Sequence, residues 1–98
     1  MRRENLMVIL KMLKDGEILD AVTMQHVDVA YLDERNAWVF SVFSDDEWEY
    51  DDIDQCADDI LKIYEHMGDT CVYDEPELFD EVASQLKGKS SGYQKCSE

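Results

Sequence analysis

The spacing of apolar residues changes along the chain, and each change predicts a new element. Apolar side chains recur at helical spacing over residues 3–14, and Gly16 follows where a helix would end. Residues 18–24, 26–32 and 37–43 are rich in β-branched and aromatic residues and predict three strands. The third of these is nearly apolar on both faces, which is typical of a central or well-covered strand.

Helical spacing returns in the second half of the chain. It predicts a helix over residues 52–67, closed by Gly68, and a last helix over residues 75–87 with Pro76 in its first turn. Residues 48–50 fit a strand extension or a loop equally well. The predicted buried stripe of the first of these helices comprises Ile53, Ala57, Ile60, Leu61, Tyr64 and Met67.

The order of elements predicts an α+β fold: an N-terminal helix, a three-stranded antiparallel sheet and two C-terminal helices. The chain has 98 residues, which is enough for one domain, and we assign residues 1–88 to it. Residues 89–98 are polar and contain glycine and serine, so we expect a flexible tail there.

Charge is distributed unevenly along this predicted fold. The chain contains 9 Lys and Arg against 24 Asp and Glu, which gives a formal net charge of −15. Residues 45–82 contain sixteen of these acidic residues and one basic residue, Lys62, so the rest of the chain sums to zero. A chain of this charge is ill-suited to bind nucleic acid or an anionic membrane directly. The partners that remain are basic proteins, cations, or a binding site that normally holds a polyanion.

Signals for catalysis, cofactors and metals are absent from the sequence. The histidines, His26 and His66, are not at a metal-ligand spacing, and no acidic run satisfies a calcium-binding loop. The cysteines, Cys56, Cys71 and Cys96, are far apart and odd in number, which favours a reducing cytoplasm. No stretch approaches the ~20 apolar residues of a membrane span. We therefore expect a cytoplasmic protein that is not an enzyme.

The acidic stretch is the candidate partner-binding surface. Sixteen carboxylates match the charge of about 8 base pairs of duplex DNA, or ~27 Å of its axis. The aromatic residues inside or beside it are candidate anchors, although two of them, Trp48 and Tyr50, could instead pack under the sheet. The candidate residues are Asp45, Asp46, Glu47, Trp48, Glu49, Tyr50, Asp51, Asp52, Asp54, Asp58, Asp59, Tyr73, Asp74, Glu75, Glu77, Asp80 and Glu81.

In charge pattern and element order, the chain resembles small acidic phage-encoded inhibitors of bacterial defence nucleases, the anti-CRISPR and antirestriction DNA mimics. In a Cas9-inhibiting member, an acidic stretch before the last helix occupies the cleft that otherwise receives the short recognition sequence beside the target. The matching stretch here is residues 73–81. The resemblance implies an inhibitor that blocks DNA binding by occupying a basic groove, in a CRISPR effector or another nuclease.

Other interpretations fit the same residues. An immunity protein or antitoxin that neutralises a basic toxin would need the same acidic surface. In a structural or adaptor protein, the carboxylates would serve only as a solvated face, and some would stabilise the first turns of helices. The sequence alone does not separate these alternatives.

Overall fold

The computed structural model describes residues 2–24, 27–42, 47–68 and 74–91, and these ranges form a mixed α+β structure. Three helices and five strands follow one another within them. They are α1 (Arg3–Asp15), β1 (Val22–Met24), β2 (Val27–Leu32), β3 (Ala37–Ser41), β4 (Glu47–Tyr50), α2 (Ile53–Met67), α3 (Pro76–Ala83) and β5 (Lys89–Ser91).

The strands form one antiparallel sheet in the order β1-β2-β3-β4-β5. The prediction of a three-stranded sheet is therefore wrong, because the described sheet has two more strands. Residues 48–50 belong to β4, and Lys89–Ser91, expected in the tail, pair with β4 as β5. The rest of the predicted tail lies outside the described residues.

The predicted hairpin between the second and third strands is confirmed. In this hairpin, Ala30 pairs with Val39 and Tyr31 pairs with Trp38. The turn at residues 33–36 closes through a hydrogen bond from the Asn36 amide to the Asp33 carbonyl, with Asn36 at a φ of 52°. Asparagine tolerates this left-handed conformation better than most residues. β3, predicted to be central, is the third of five strands and is largely buried.

The core lies between the helices and one face of the sheet. Phe40 stands at its centre on β3, opposite Val29 on one side and Trp48 on the other. The Phe40 ring stacks on Trp48 and Tyr50, with centroids 5.6 and 5.3 Å apart. Such aromatic pairs are stabilising beyond their buried area. They fix β4 against the central strand.

Helix α1 closes one end of this core with an apolar stripe of Leu6, Leu10 and Leu13, all buried. It ends at Gly16, which adopts a left-handed conformation with a φ of 84°. The indole N–H of Trp38 donates a hydrogen bond of 2.8 Å to the Leu10 carbonyl oxygen, which ties the helix to the sheet. The predicted helix over residues 3–14 is thus correct to within one residue.

The last two helices differ in detail from the prediction. The buried side of α2 is rotated by about one residue relative to the predicted stripe. Cys56, Asp59 and Ile63 are buried, whereas Leu61 and Tyr64 are only partly buried. Helix α3 ends at Ala83, four residues earlier than predicted. No helix in the described ranges is long and apolar enough to cross a membrane.

Candidate functional site

The α2 row consists of Asp54 and Asp58 on one exposed side of α2, with Asp51 just before the helix. The sequence predicted this row, because residues three or four apart lie on one helix face. The structure adds Arg3, whose guanidinium lies 3.0 Å from Asp54 Oδ1 and 3.1 Å from Asp58 Oδ1. Two of the three carboxylates therefore have a counter-ion within the protein.

Asp52 acts as the N-cap of α2. Its side chain accepts a hydrogen bond of 2.9 Å from the Asp54 amide. This bond satisfies one of the backbone N–H groups that a helix start leaves without an intrahelical partner. At least this carboxylate therefore has a structural role, whether or not it also contacts a partner.

Asp59 does not belong to the exposed surface, so its prediction as a contact residue is wrong. Its side chain is 1% exposed, because the buried side of α2 includes position 59. Asp59 Oδ2 accepts hydrogen bonds from the Tyr50 hydroxyl at 2.6 Å, the Lys87 amide at 2.7 Å and the Gly88 amide at 3.2 Å. The carboxylate joins β4, α2 and the segment that leads into β5.

Trp48 and Tyr50 are core residues, so the alternative in which they are exposed anchors is wrong. Their exposed fractions are 1% and 3%. Both follow the alternation of β4 and point to the helix side of the sheet, where Phe40 and Phe79 lie against them. The alternating carboxylates of this strand, Glu47 and Glu49, are only partly buried.

Burial also changes the acidity of the groups around Asp59. Desolvation, with the hydrogen bond to Asp59 and its charge, raises the pKa of Tyr50 far above the usual value. Desolvation and the charge of Asp59 likewise raise the pKa of Cys56, so that thiol is a poor nucleophile. Desolvation raises the pKa of Tyr64 to about 12.

The protein is expected to lose stability at alkaline pH because the folded state favours the protonated form of Tyr50 and of Tyr64. Their raised pKa values mean that this contribution is complete below about pH 10, where unfolded tyrosine titrates, and is lost as the pH rises towards 12 and above. Urea unfolding measured from neutral pH to about pH 11 should show a falling midpoint, with tyrosinate absorbance rising as the protein unfolds. An unchanged midpoint up to pH 11 would contradict the burial of Tyr50 and Tyr64.

The remaining carboxylates of β4 are on the sheet face opposite the aromatic core. Glu49 Oε1 lies 3.2 Å from Arg35 Nη1 of the β2–β3 turn. In register, Glu49 also pairs with Lys89 of β5. These contacts reduce the negative potential at this end of the sheet.

The α3 group is the set of acidic residues on α3 and immediately before it. It comprises Asp74, Glu75, Glu77, Asp80 and Glu81. Glu75, Glu77 and Glu81 are exposed, and no ion pair among the described residues includes any of them. Positions 77 and 81 lie one turn apart, opposite the apolar side through which Phe79 and Val82 enter the core.

Two lysines lie beside the α2 row. A groove of about 380 Å³ beside α2 is lined by Asp52, Asp54, Gln55, Asp58, Asp59, Lys62 and Lys87. The chain contains no lysine or arginine between Lys62 and Lys87, so α3 carries no basic residue of its own. The α2 row and the α3 group, which the sequence predicts as one surface, therefore differ in the basic residues of their own helices. Helix α2 carries Lys62, and α3 carries none.

Three candidate residues, Asp45, Asp46 and Tyr73, lie outside the described residues. Within the described part of the chain, no group of three or more His, Cys, Asp or Glu side chains is arranged to hold a metal ion. Comparisons of the chain with protein families, with curated proteins and with solved structures find no match.

Proposed function

We propose that the protein is a stoichiometric inhibitor whose acidic surface occupies the basic DNA-binding groove of a bacterial defence nuclease or CRISPR surveillance complex. The observation that carries this proposal is the α3 group, in which three exposed carboxylates have no counter-ion among the described residues. Concentrated like charge destabilises a compact domain. A partner that supplies the missing cations would relieve this repulsion and gain affinity.

The α3 group lies within residues 73–81, the stretch that the resemblance to Cas9-inhibiting anti-CRISPR proteins compares with their cleft-occupying acidic stretch. Inhibition would act through occupancy alone: carboxylates take the positions of DNA phosphates against lysine and arginine side chains of the groove. This mechanism needs no bond-making step and no cofactor. The α2 row would extend the same interface once its own counter-ions are displaced.

The burial of Trp48 and Tyr50 changes what holds such a complex together. Interfaces usually depend on a few desolvated aromatic or arginine anchors. With both aromatics in the core, the proposed contact depends mainly on charge. We therefore expect an association that is fast and strongly sensitive to salt.

Charge reversal on the α3 group should abolish the interaction. The triple variant Glu75→Lys, Glu77→Lys and Glu81→Lys is expected to weaken binding by about 100-fold or more, because like charges facing each other cost several kcal/mol. The matched control is Glu17→Lys, Asp33→Lys and Glu34→Lys, which changes the net charge equally at exposed positions elsewhere. Binding by the control should stay within about threefold of the wild type. Circular dichroism of both variants would verify that they fold.

The partner can be sought by capture from lysates of bacteria that contain CRISPR or restriction systems, repeated over a range of salt. The proposal predicts a DNA-binding nuclease that is retained at low salt and released at high salt. It should also be retained by the control variant and not by the α3 variant. Capture of a basic toxin with the same behaviour would instead favour an immunity protein. Equal retention by the two variants would exclude the α3 group as the contact.

A further inference from the structure

The three helices lie against the same face of the sheet. Trp38 is hydrogen-bonded to α1, Tyr50 is hydrogen-bonded to α2, and Trp48 meets Phe79 of α3. The opposite face, which we call the outer face, has no helix of the described ranges on it. Because side chains alternate along a strand, the outer face consists of the remaining residues of the three central strands. They are Asp28, Ala30, Leu32, Ala37, Val39, Ser41, Glu47 and Glu49.

Strand register arranges the residues of the outer face in rows. Asp28 pairs with Ser41 and Ser41 pairs with Glu47, so two carboxylates flank one hydroxyl across three strands. Neighbouring strands are separated by ~4.8 Å, so the backbones that carry the two carboxylates are about 10 Å apart. The next row places Val39 beside Ala30. A polar row and an apolar row therefore lie next to each other.

These two rows line a groove of about 210 Å³. Its apolar part includes Ala30, Leu32 and Val39, and its carboxylates are those of Asp28 and Glu47. Sites for small molecules usually measure ~300–1,000 Å³, so this groove suits a single long side chain rather than a cofactor. Arginine and lysine combine an apolar stem with a cationic end, and they complement such a groove in both shape and charge.

The carboxylates of the groove are ordered but are not used in ion pairs. The Thr23 hydroxyl donates a hydrogen bond of 2.6 Å to Asp28 Oδ1. No ion pair within the described ranges includes Asp28 or Glu47. The same face already accommodates one arginine, because Arg35 Nη1 lies 3.2 Å from Glu49 Oε1. The groove repeats this arrangement of apolar surface beside a carboxylate, with the cation still to be supplied.

We propose that the outer face is a docking site for an arginine side chain of a partner protein. The methylene stem lies on the apolar row, and the guanidinium pairs with Asp28 and Glu47. One ammonium group cannot reach two carboxylates carried on strands this far apart, whereas a guanidinium donates in several directions and is more weakly hydrated. The outer face is on the other side of the sheet from α3. The site is therefore separate from the surface of the proposed function and does not rest on it.

An NMR titration of the amide signals with the peptide acetyl-Val-Arg-Val-amide tests the site directly. The largest chemical-shift changes are expected at Asp28, Ser41 and Glu47, and smaller ones on α2 and α3. The peptide acetyl-Val-Lys-Val-amide has the same charge and should bind about fivefold more weakly. Shift changes confined to α2 and α3, or equal affinities for the two peptides, would overturn the proposal.

Two pairs of neutral substitutions test the carboxylates. The double variant Asp28→Asn and Glu47→Gln should weaken binding of the arginine peptide by about tenfold, because charge-assisted hydrogen bonds to the guanidinium are lost. The asparagine amide oxygen can still accept the Thr23 hydrogen bond. The matched control, Asp74→Asn and Glu77→Gln, removes the same two charges from exposed positions of the α3 group. Its affinity should stay within about twofold of the wild type.

Equal affinities of the two variants for the arginine peptide would overturn the site on the outer face. The amide spectrum of each variant verifies that it is folded. Because the control variant alters the α3 group and the probe is a peptide, the result does not depend on whether a nuclease is inhibited. The two proposals therefore fail separately.

Discussion

Replacement of Asp59 by alanine is expected to destabilise the protein by about 2–5 kcal/mol, a large fraction of the stability of a small domain. The substitution removes the acceptor of three hydrogen bonds and leaves the Tyr50 hydroxyl and the Lys87 and Gly88 amides without it. Buried donors that lose their partner retain the full cost of leaving water. The free energy of unfolding from urea titration measures the effect.

The neighbouring residue provides the matched control for this experiment. Asp58 is the same residue type on the same helix, but its side chain is 62% exposed. Asp58→Ala is expected to shift the urea midpoint by only a small fraction of the shift caused by Asp59→Ala. Equal shifts would mean that Asp59 is a surface carboxylate and that its three hydrogen bonds do not form.

Truncation of Trp48 is expected to have a similarly large effect, about 3–5 kcal/mol for Trp48→Ala. The indole is 1% exposed, stacks on Phe40 and meets the edge of Phe79 with centroids 6.1 Å apart. Its removal opens a cavity where β3, β4 and α3 meet. Thermal unfolding followed by circular dichroism should show a strongly lowered midpoint.

Two further variants show whether Trp48 acts through packing. Leu19→Ala removes an apolar side chain that is 88% exposed, and we expect a change within about 0.5 kcal/mol. Trp48→Phe keeps most of the apolar volume and should retain partner binding in folded protein. Loss of binding by folded Trp48→Phe would instead support the exposed-anchor interpretation that the structure contradicts.

The spacing of apolar residues predicted those helices and strands that bury one continuous apolar side. The first helix, the β2–β3 hairpin and the second helix appear close to their predicted bounds because sequence spacing alone determines which of their side chains point inwards. β5 was not predictable in this way. Lys89, Ser90 and Ser91 have little strand propensity. Their pairing depends on β4 and on the hydrogen bonds that Asp59 accepts from the Lys87 and Gly88 amides.

A signal for β4 was present but was obscured by charge. Glu47, Trp48, Glu49 and Tyr50 alternate polar and apolar residues, which is the pattern of a half-buried strand. The surrounding carboxylates suggested instead that the aromatics were part of a binding surface. Alternation was the better guide, because a strand places successive side chains on opposite faces whatever the charge of the segment.

Counting charges along the chain also does not show ion pairs between residues that are distant in sequence. Residues 1–20 sum to zero by themselves, yet Arg3 lies against Asp54 and Asp58, more than fifty positions away. Likewise, Arg35 reaches Glu49, and Lys87 lines the groove beside the α2 row. Regional sums of charge therefore located the acidic stretch but could not show which of its carboxylates have a cation beside them. Only the three-dimensional arrangement separates the α3 group from the α2 row.

We propose above that the acidic surface excludes DNA from a basic groove. It is tested most directly by titrating the protein into a captured nuclease bound to labelled target DNA, at low and at high salt. We expect about one equivalent of protein to displace the DNA at low salt, high salt to weaken this displacement, and the α3 triple variant to displace none. Unchanged DNA binding in the presence of excess wild-type protein would contradict it.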